Sequence, residues 1–112
     1  MPNTLTREQL KAMIDAKERF TLVDVRFAES YEAEHLPGAI NMPVNEIEAL
    51  APGRIALDEP IVVYCATFEC TASPTAAMAL EDLGFTNVAD FEGGLADWQD
   101  AGYPTASGKV KV

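Results

Sequence analysis

The sequence predicts an α/β fold built on a mostly parallel sheet, and three observations carry that expectation. The runs FTLVDV (20–25) and IVVYC (61–65) are rich in apolar and β-branched residues without strict alternation, as strands covered on both faces are. The segments between such runs carry the start and stop signals of helices. Strand-like and helix-like segments alternate along the chain, which is the order of parallel strands joined by crossover helices.

The elements follow in order. Thr6 is an N-cap with Gln9 three residues on, and Leu5 and Leu10 are spaced to staple across the first turn, which predicts a helix over 7–17. FTLVDV is then a buried strand. AESYEAEH (28–35) reads as a short exposed helix stopped by Pro37-Gly38, and AINM (39–42) as a second short strand. NEIEAL (45–50), bounded by Pro43 and Pro52-Gly53, is another short helix. IVVYC is the most hydrophobic strand and is placed at the centre of the sheet. Ser73-Pro74 supplies an N-cap and a proline at the first helical position, and the helix that follows presents Ala76, Ala77, Leu80 and Leu83 on one face before Gly84 ends it. NVADF (87–91) is the last extended segment, Gly93-Gly94 a turn, and LADWQDA a final short helix capped by Gly102. The tail, 105–112 with GKVKV at its end, is expected to be loose.

A chain of 112 residues that is 48% hydrophobic is the size of one domain and can bury one core without disulfide or metal staples. It contains no apolar run long enough to span a bilayer, and MPNTLTREQL lacks the basic-then-apolar order of a secretory signal, so the expected location is cytoplasmic. Eight Lys and Arg against eighteen Asp and Glu give a net charge of −10, which argues against direct binding to nucleic acid or to an anionic membrane. No Lys or Arg lies in 55–108. An anion handled there must be held by backbone N–H groups and helix ends.

The chain has two cysteines, Cys65 and Cys70, both in YCATFECTASP (64–74) between the central strand and a helix. Sites in open α/β sheets form beyond the carboxyl ends of the strands, where Cys65 lies. A helix N-terminus closing the loop lines up free N–H groups and partial positive charge that stabilise a thiolate, the reactive form. The bland alternative is a buried, inert cysteine at a strand end. Cytosolic thiols are kept reduced, so the pair is expected to be reduced and reactive rather than a structural bridge. Cys70 has three readings: a redox partner that attacks a sulfur held on Cys65, a disulfide partner, or a small apolar loop residue. Contact requires the loop to fold back until the Cα atoms are within about 7 Å. A thioredoxin-like site is disfavoured because its spacing is C-x-x-C. Zinc is disfavoured because two cysteines and the single His35 do not complete a four-ligand site.

The run VDVRFAESYEAEHLPGAINMP (23–43) resembles the first signature of the rhodanese-like domain, D-V-R-x-x-x-E-Y-x-x-G-H-I-P-G-A-x-N-I-P. IVVYC and LGFTNVADFEGGLADWQDAGYP (83–104) resemble its second half, in the same order. The resemblance implies a single rhodanese-like domain with its core over about 5–104: a three-layer α/β fold with a five-stranded, mostly parallel sheet and helices on both faces. It implies a sulfurtransferase whose cysteine, matching Cys65, takes a sulfane sulfur from thiosulfate, polysulfide or another persulfide and passes it to a thiol or protein acceptor. No metal or organic cofactor is implied. The loop residues Ala66, Thr67, Phe68, Glu69, Thr71, Ala72 and Ser73 would cradle the outer sulfur through backbone N–H groups. Asp24, Arg26 and His35 match family positions and are expected to be supporting, tying the first strand to neighbouring loops. Gly93-Gly94 and Trp98 read as turn and core packing.

The sequence departs from the family pattern in three places. Nineteen positions separate Cys65 from Gly84, which makes the active loop about two residues longer than usual. Glu34 stands where a glycine is expected. The loop has no arginine and carries Glu69, so capture of a dianion such as thiosulfate is expected to be weak. Related phosphatases and arsenate reductases clamp the oxyanion with an arginine where this chain has Thr71, which disfavours phosphoryl transfer. With Cys70 as a resolving thiol, a disulfide would form at turnover and need a thiol reductant to reopen it. The reading from another class is a non-catalytic interaction module whose acidic face docks a basic partner.

Overall fold

The computed structural model describes residues 2–108. Five strands form one sheet in the order β1-β5-β4-β2-β3: β1 (Asn3–Thr4), β2 (Thr21–Asp24), β3 (Ile40–Asn41), β4 (Ile61–Tyr64) and β5 (Val88–Phe91). Every pairing is parallel, and IVVYC supplies the central strand as its hydrophobicity predicts. Four helices connect them, α1 (Arg7–Asp15), α2 (Ala28–Ala33), α3 (Ile47–Arg54) and α4 (Ala72–Asp82), and α5 (Gly94–Asp100) follows the last strand.

The pleat of β4 divides the core. Val63 and Cys65 face one side with Val23, Val25, Ile47 and Leu80, whereas Val62 and Tyr64 face the other with Leu10, Leu36, Phe91 and Trp98. Each large apolar side chain so buried contributes about 1.5–3 kcal/mol, which is why the central strand has no polar face. Phe91, Trp98 and Tyr103 meet edge to face under α5, and the Trp98 indole N–H donates to Pro104 O at 2.7 Å.

Caps explain several boundaries. Thr6 and Gln9 form the predicted capping box at the start of α1. α4 ends in a Schellman motif: Gly84 adopts φ +102°, its N–H donates to Glu81 O, and Phe85 N–H donates to Leu80 O.

Other boundaries differ from expectation. β1 was not predicted, because two polar edge residues carry no periodicity and pair only through the β5 backbone. α1 stops at Asp15 because Lys17 takes a left-handed φ of 54°. α2 stops at Ala33 because Glu34 turns extended, which lets His35 bridge to Ala106. α3 runs through Pro52-Gly53 after a 3-10 turn (Val44–Glu46), since burial of Ile47, Ala51 and Ile55 outweighs the lost amide donor. α4 begins at Ala72 with Thr71 as its cap, so Ser73 is not the N-cap. Pro74 is the third residue of the helix, two positions later than predicted, and is tolerated there because the first-turn amides have no intrahelical acceptor. Residues 105–108, expected to be loose, are pinned: Thr105 donates to Glu34 Oε2 at 2.7 Å and Gly108 N–H to Glu32 O at 2.8 Å. The rest of GKVKV lies outside the described residues.

Candidate active site

The loop between β4 and α4 holds both cysteines at the carboxyl edge of the sheet. Cys65 extends the buried strand and is itself buried, 5% exposed. Cys70 N–H donates to Thr67 O at 3.2 Å, and this turn folds the loop back until the two Cα atoms are 6.4 Å apart. The thiols are joined as a disulfide. This differs from the expectation of reduced thiols, which rested on compartment and left open whether the loop folds back far enough for contact. It also removes the third reading of Cys70, a bystander in the loop.

The start of the loop is fixed from α5. Leu95 N–H donates to Cys65 O at 3.0 Å and Ala96 N–H to Ala66 O at 2.9 Å. Gly94 makes the approach possible: a Cβ there would lie 2.5 Å from Cys65 O and 2.8 Å from the Ala66 carbonyl carbon, and its φ is +66°. The glycine pair, read from sequence as a turn, is therefore also a backbone contact with the active loop. Thr67, Phe68 and Glu69 use none of their N–H groups as donors to protein acceptors among the described residues. Phe68 is 66% exposed at the tip and Glu69 and Thr71 are exposed beside it, while Ala72 and Ser73 open α4, Ser73 fully buried. Arg7, from the far end of the sequence, lines a cleft of about 360 Å³ with Phe68 and Glu92, but it is already paired with Asp97 and Asp100 at 3.1 and 3.0 Å.

Asp24, Arg26 and His35 gather on the other face of the sheet, around Tyr64. Asp24 is fully buried; Arg26 grips both its oxygens, with the shortest contact 2.7 Å, and donates to Glu34 O. The Tyr64 hydroxyl donates to Asp24 Oδ2 at 2.7 Å and accepts from Leu36 N–H at 3.0 Å. Burial, reinforced by the Asp24 charge, pushes the Tyr64 hydroxyl well above its ordinary range, so it stays a neutral donor. His35 lies 2.7 Å from Tyr31 O through Nδ1 and stacks on the Tyr31 ring. The pleat separates this cluster from Cys65.

Asp90 was not singled out from sequence, although a lone acid inside an apolar strand was the available signal. It sits in β5, 3% exposed, and its Oδ1 has no hydrogen-bond partner among the described residues. Burial pushes its carboxyl above the usual carboxylate range, opposed by the Ser73 hydroxyl and reinforced by Glu92. The folded state then binds the Asp90 proton more tightly than the unfolded chain, so stability falls as pH rises from the unfolded value of about 3.9 through the folded one. Asp90→Asn is expected to raise the melting temperature at pH 7 by the equivalent of about 1 kcal/mol, and to lose that advantage below about pH 4. Thermal unfolding of both proteins across that range checks the sign.

No group of three His, Cys, Asp or Glu positioned for a metal occurs among the described residues, and no helix there is long and apolar enough to cross a membrane.

The model of the rhodanese-like domain family matches residues 6–101. The chain belongs to this family. The thiosulfate sulfurtransferase GlpE of Shewanella oneidensis is 35% identical over 87% of this chain and 92% of its own length. The HTH-type transcriptional regulator Rv0324 of Mycobacterium tuberculosis is 38% identical over 95% of this chain, and the putative sulfur carrier protein YrkF of Bacillus subtilis 31% over 84%. The chain spans about half the length of these last two, 46% and 49%. Among solved structures, the BH2092 protein of Bacillus halodurans superposes with a TM-score of 0.88 at 29% identity, covering 94% of this chain and 77% of that one. The human single-domain sulfurtransferase TSTD1 does so with 0.79 at 25%, covering 89% and 97%. The rhodanese fold expected from the sequence is thus the fold observed, and the sulfurtransferase assignment holds at the level of the family.

Proposed function

We propose that this protein, working as a single domain, is a sulfurtransferase in which Cys65 carries a sulfane sulfur and Cys70 resolves it. The observation that carries the reading is the Cys65–Cys70 bond at the carboxyl edge of the central strand, beside loop N–H groups with no protein acceptor among the described residues. The Cys65 thiolate attacks the outer sulfur of thiosulfate, forming Cys65–S–S⁻ and releasing sulfite; a polysulfide gives the same product and a shortened chain. Backbone N–H groups of Thr67, Phe68 and Glu69, with the first turn of α4 (Ala72, Ser73), hold the terminal sulfur, while Ala66 is fixed by α5. Asp24, Arg26 and His35 act as supports for the opposite face. Without a loop arginine, polysulfide should load at lower concentration than thiosulfate. The sulfur passes to a thiol or to a protein acceptor with a basic face that complements the acidic surroundings. Alternatively Cys70 attacks Cys65, sulfide leaves, and the resulting disulfide is reopened by a cellular thiol reductant, as a reducing cytoplasm would supply.

The test is intact-mass analysis of the reduced protein after exposure to thiosulfate or polysulfide, with a labile gain of one sulfur on Cys65 expected. Cys70→Ser is expected to keep that gain and accumulate it, while losing disulfide formation and reductant-dependent turnover. Unchanged turnover in Cys70→Ser would remove Cys70 from the mechanism.

The relative named as a transcriptional regulator favours a second reading, a domain that docks or senses without turnover. No sulfur gain with any donor would select it.

A further inference from the structure

The pleat turns Asp90 toward the Cys65 side of the sheet, beneath the first turn of α4. There it lines a cleft of about 20 Å³ together with Cys70, Ser73, Pro74, Phe68 and Glu92. That space fits a single water molecule. Cys70, Ser73 and the Asp90 carboxyl thus line a one-water gap, and Asp90 is a buried acid whose Oδ1 has no hydrogen-bond partner among the described residues. The charged group acting on Asp90 is Glu92. β4 and β1 place only uncharged Val63 and Thr4 in register with it, and α4 contributes the neutral Ser73.

We propose that Asp90 accepts the Cys70 thiol proton, across this one-water gap, as Cys70 attacks Cys65 to close the disulfide. In the step, the persulfide, having taken a proton from water to become Cys65–S–SH, reacts with Cys70–SH and the Asp90 carboxylate to give the Cys65–Cys70 disulfide, HS⁻ and the Asp90 carboxylic acid. The bond between the two Sγ atoms forms, and the bond from Cys65 Sγ to the terminal sulfur breaks with its electron pair leaving on HS⁻. The terminal sulfur is reduced as the two cysteine sulfurs are joined, so no external oxidant enters. Asp90 then returns its proton to the departing sulfide or to water. A carboxyl raised by burial suits this task, because its proton affinity lies closer to that of a thiol, about 8.5, than an exposed aspartate's does. The proposal explains why an acid with an unpaired oxygen sits in a buried strand, where apolar packing would be more stable.

This inference deepens the sulfurtransferase reading, and its test separates the two. Single-turnover closure is followed by acid quench and intact mass, starting from the Cys65 persulfide and, independently, from a glutathione adduct mapped to Cys65. Asp90→Asn is expected to slow closure of both adducts about 100-fold. It is also expected to lose the low-pH limb of the rate profile, leaving a single rise with the Cys70 thiol. Asp90→Ser, which removes the carboxyl with a smaller polar side chain, should slow closure likewise. Closure by both variants at the wild-type rate with the wild-type pH profile would overturn the role of Asp90. Failure of the persulfide to form, with the glutathione adduct still closing in an Asp90-dependent way, would instead overturn sulfur transfer and leave the proton route standing.

Discussion

Replacement of Cys65 by serine is expected to abolish sulfur loading and to lower sulfur transfer to cyanide or a thiol by at least about 10³-fold. A hydroxyl in the same place cannot reach the anionic form that helix-end N–H groups stabilise in a thiolate, and no other sulfur in the chain occupies that place. Intact mass after polysulfide treatment and a cyanide assay measure the two effects. The proper control is reduced wild type. The disulfide closes a short loop, sequence separation 5, and contributes about 2 kcal/mol that any Cys65 variant forfeits. A Cys65→Ser protein that still gained labile sulfur would locate the carrier elsewhere.

The largest effect on stability is expected from Asp24→Ala. Asp24 is fully buried, and it is the shared acceptor of the Arg26 guanidinium and the Tyr64 hydroxyl. Arg26 retains only 12% side-chain exposure, so removing the carboxylate leaves a mostly buried cation unpaired and a buried hydroxyl without its acceptor. Breaking such a pair costs about 3–5 kcal/mol, against a typical total of about 5–15 kcal/mol. Urea unfolding should show the loss directly, with the melting temperature falling by at least about 12 °C. Because the pleat places Asp24 on the face opposite Cys65, the protein that remains folded in the cold should load sulfur within about 3-fold of wild type, the size of effect that packing changes rather than lost chemistry produce. A stability change below about 1 kcal/mol would mean that the network on that face carries little of the fold.

Several features were legible before the fold was known because they are local. The capping box of Thr6 and Gln9, the unbroken apolar run of IVVYC and the glycine after α4 each act within a few residues, and each is found where expected. The misread boundaries are those where distant packing outweighs a local signal. Pro52-Gly53 reads as a stop, yet α3 continues because Ala51 and Ile55 are drawn into the core. Ser73 reads as a cap, yet it lies inside α4, buried, with its hydroxyl acting on the Asp90 carboxyl of β5.

The same division runs through the site. Sequence alone determined that a cysteine stands at the end of the central strand before a helix, in an arginine-free acidic loop with a second thiol five positions on. Those properties depend on order and composition. Tertiary structure alone decided that the loop turns back to join the two sulfurs, that Gly94 must be bare to let α5 grip the Cys65 and Ala66 carbonyls, and that Asp90 lines one small cleft with Cys70. The first is a turn within one loop, whose direction five residues do not by themselves specify, and the other two are contacts between segments far apart along the chain, which no period or spacing in the sequence encodes.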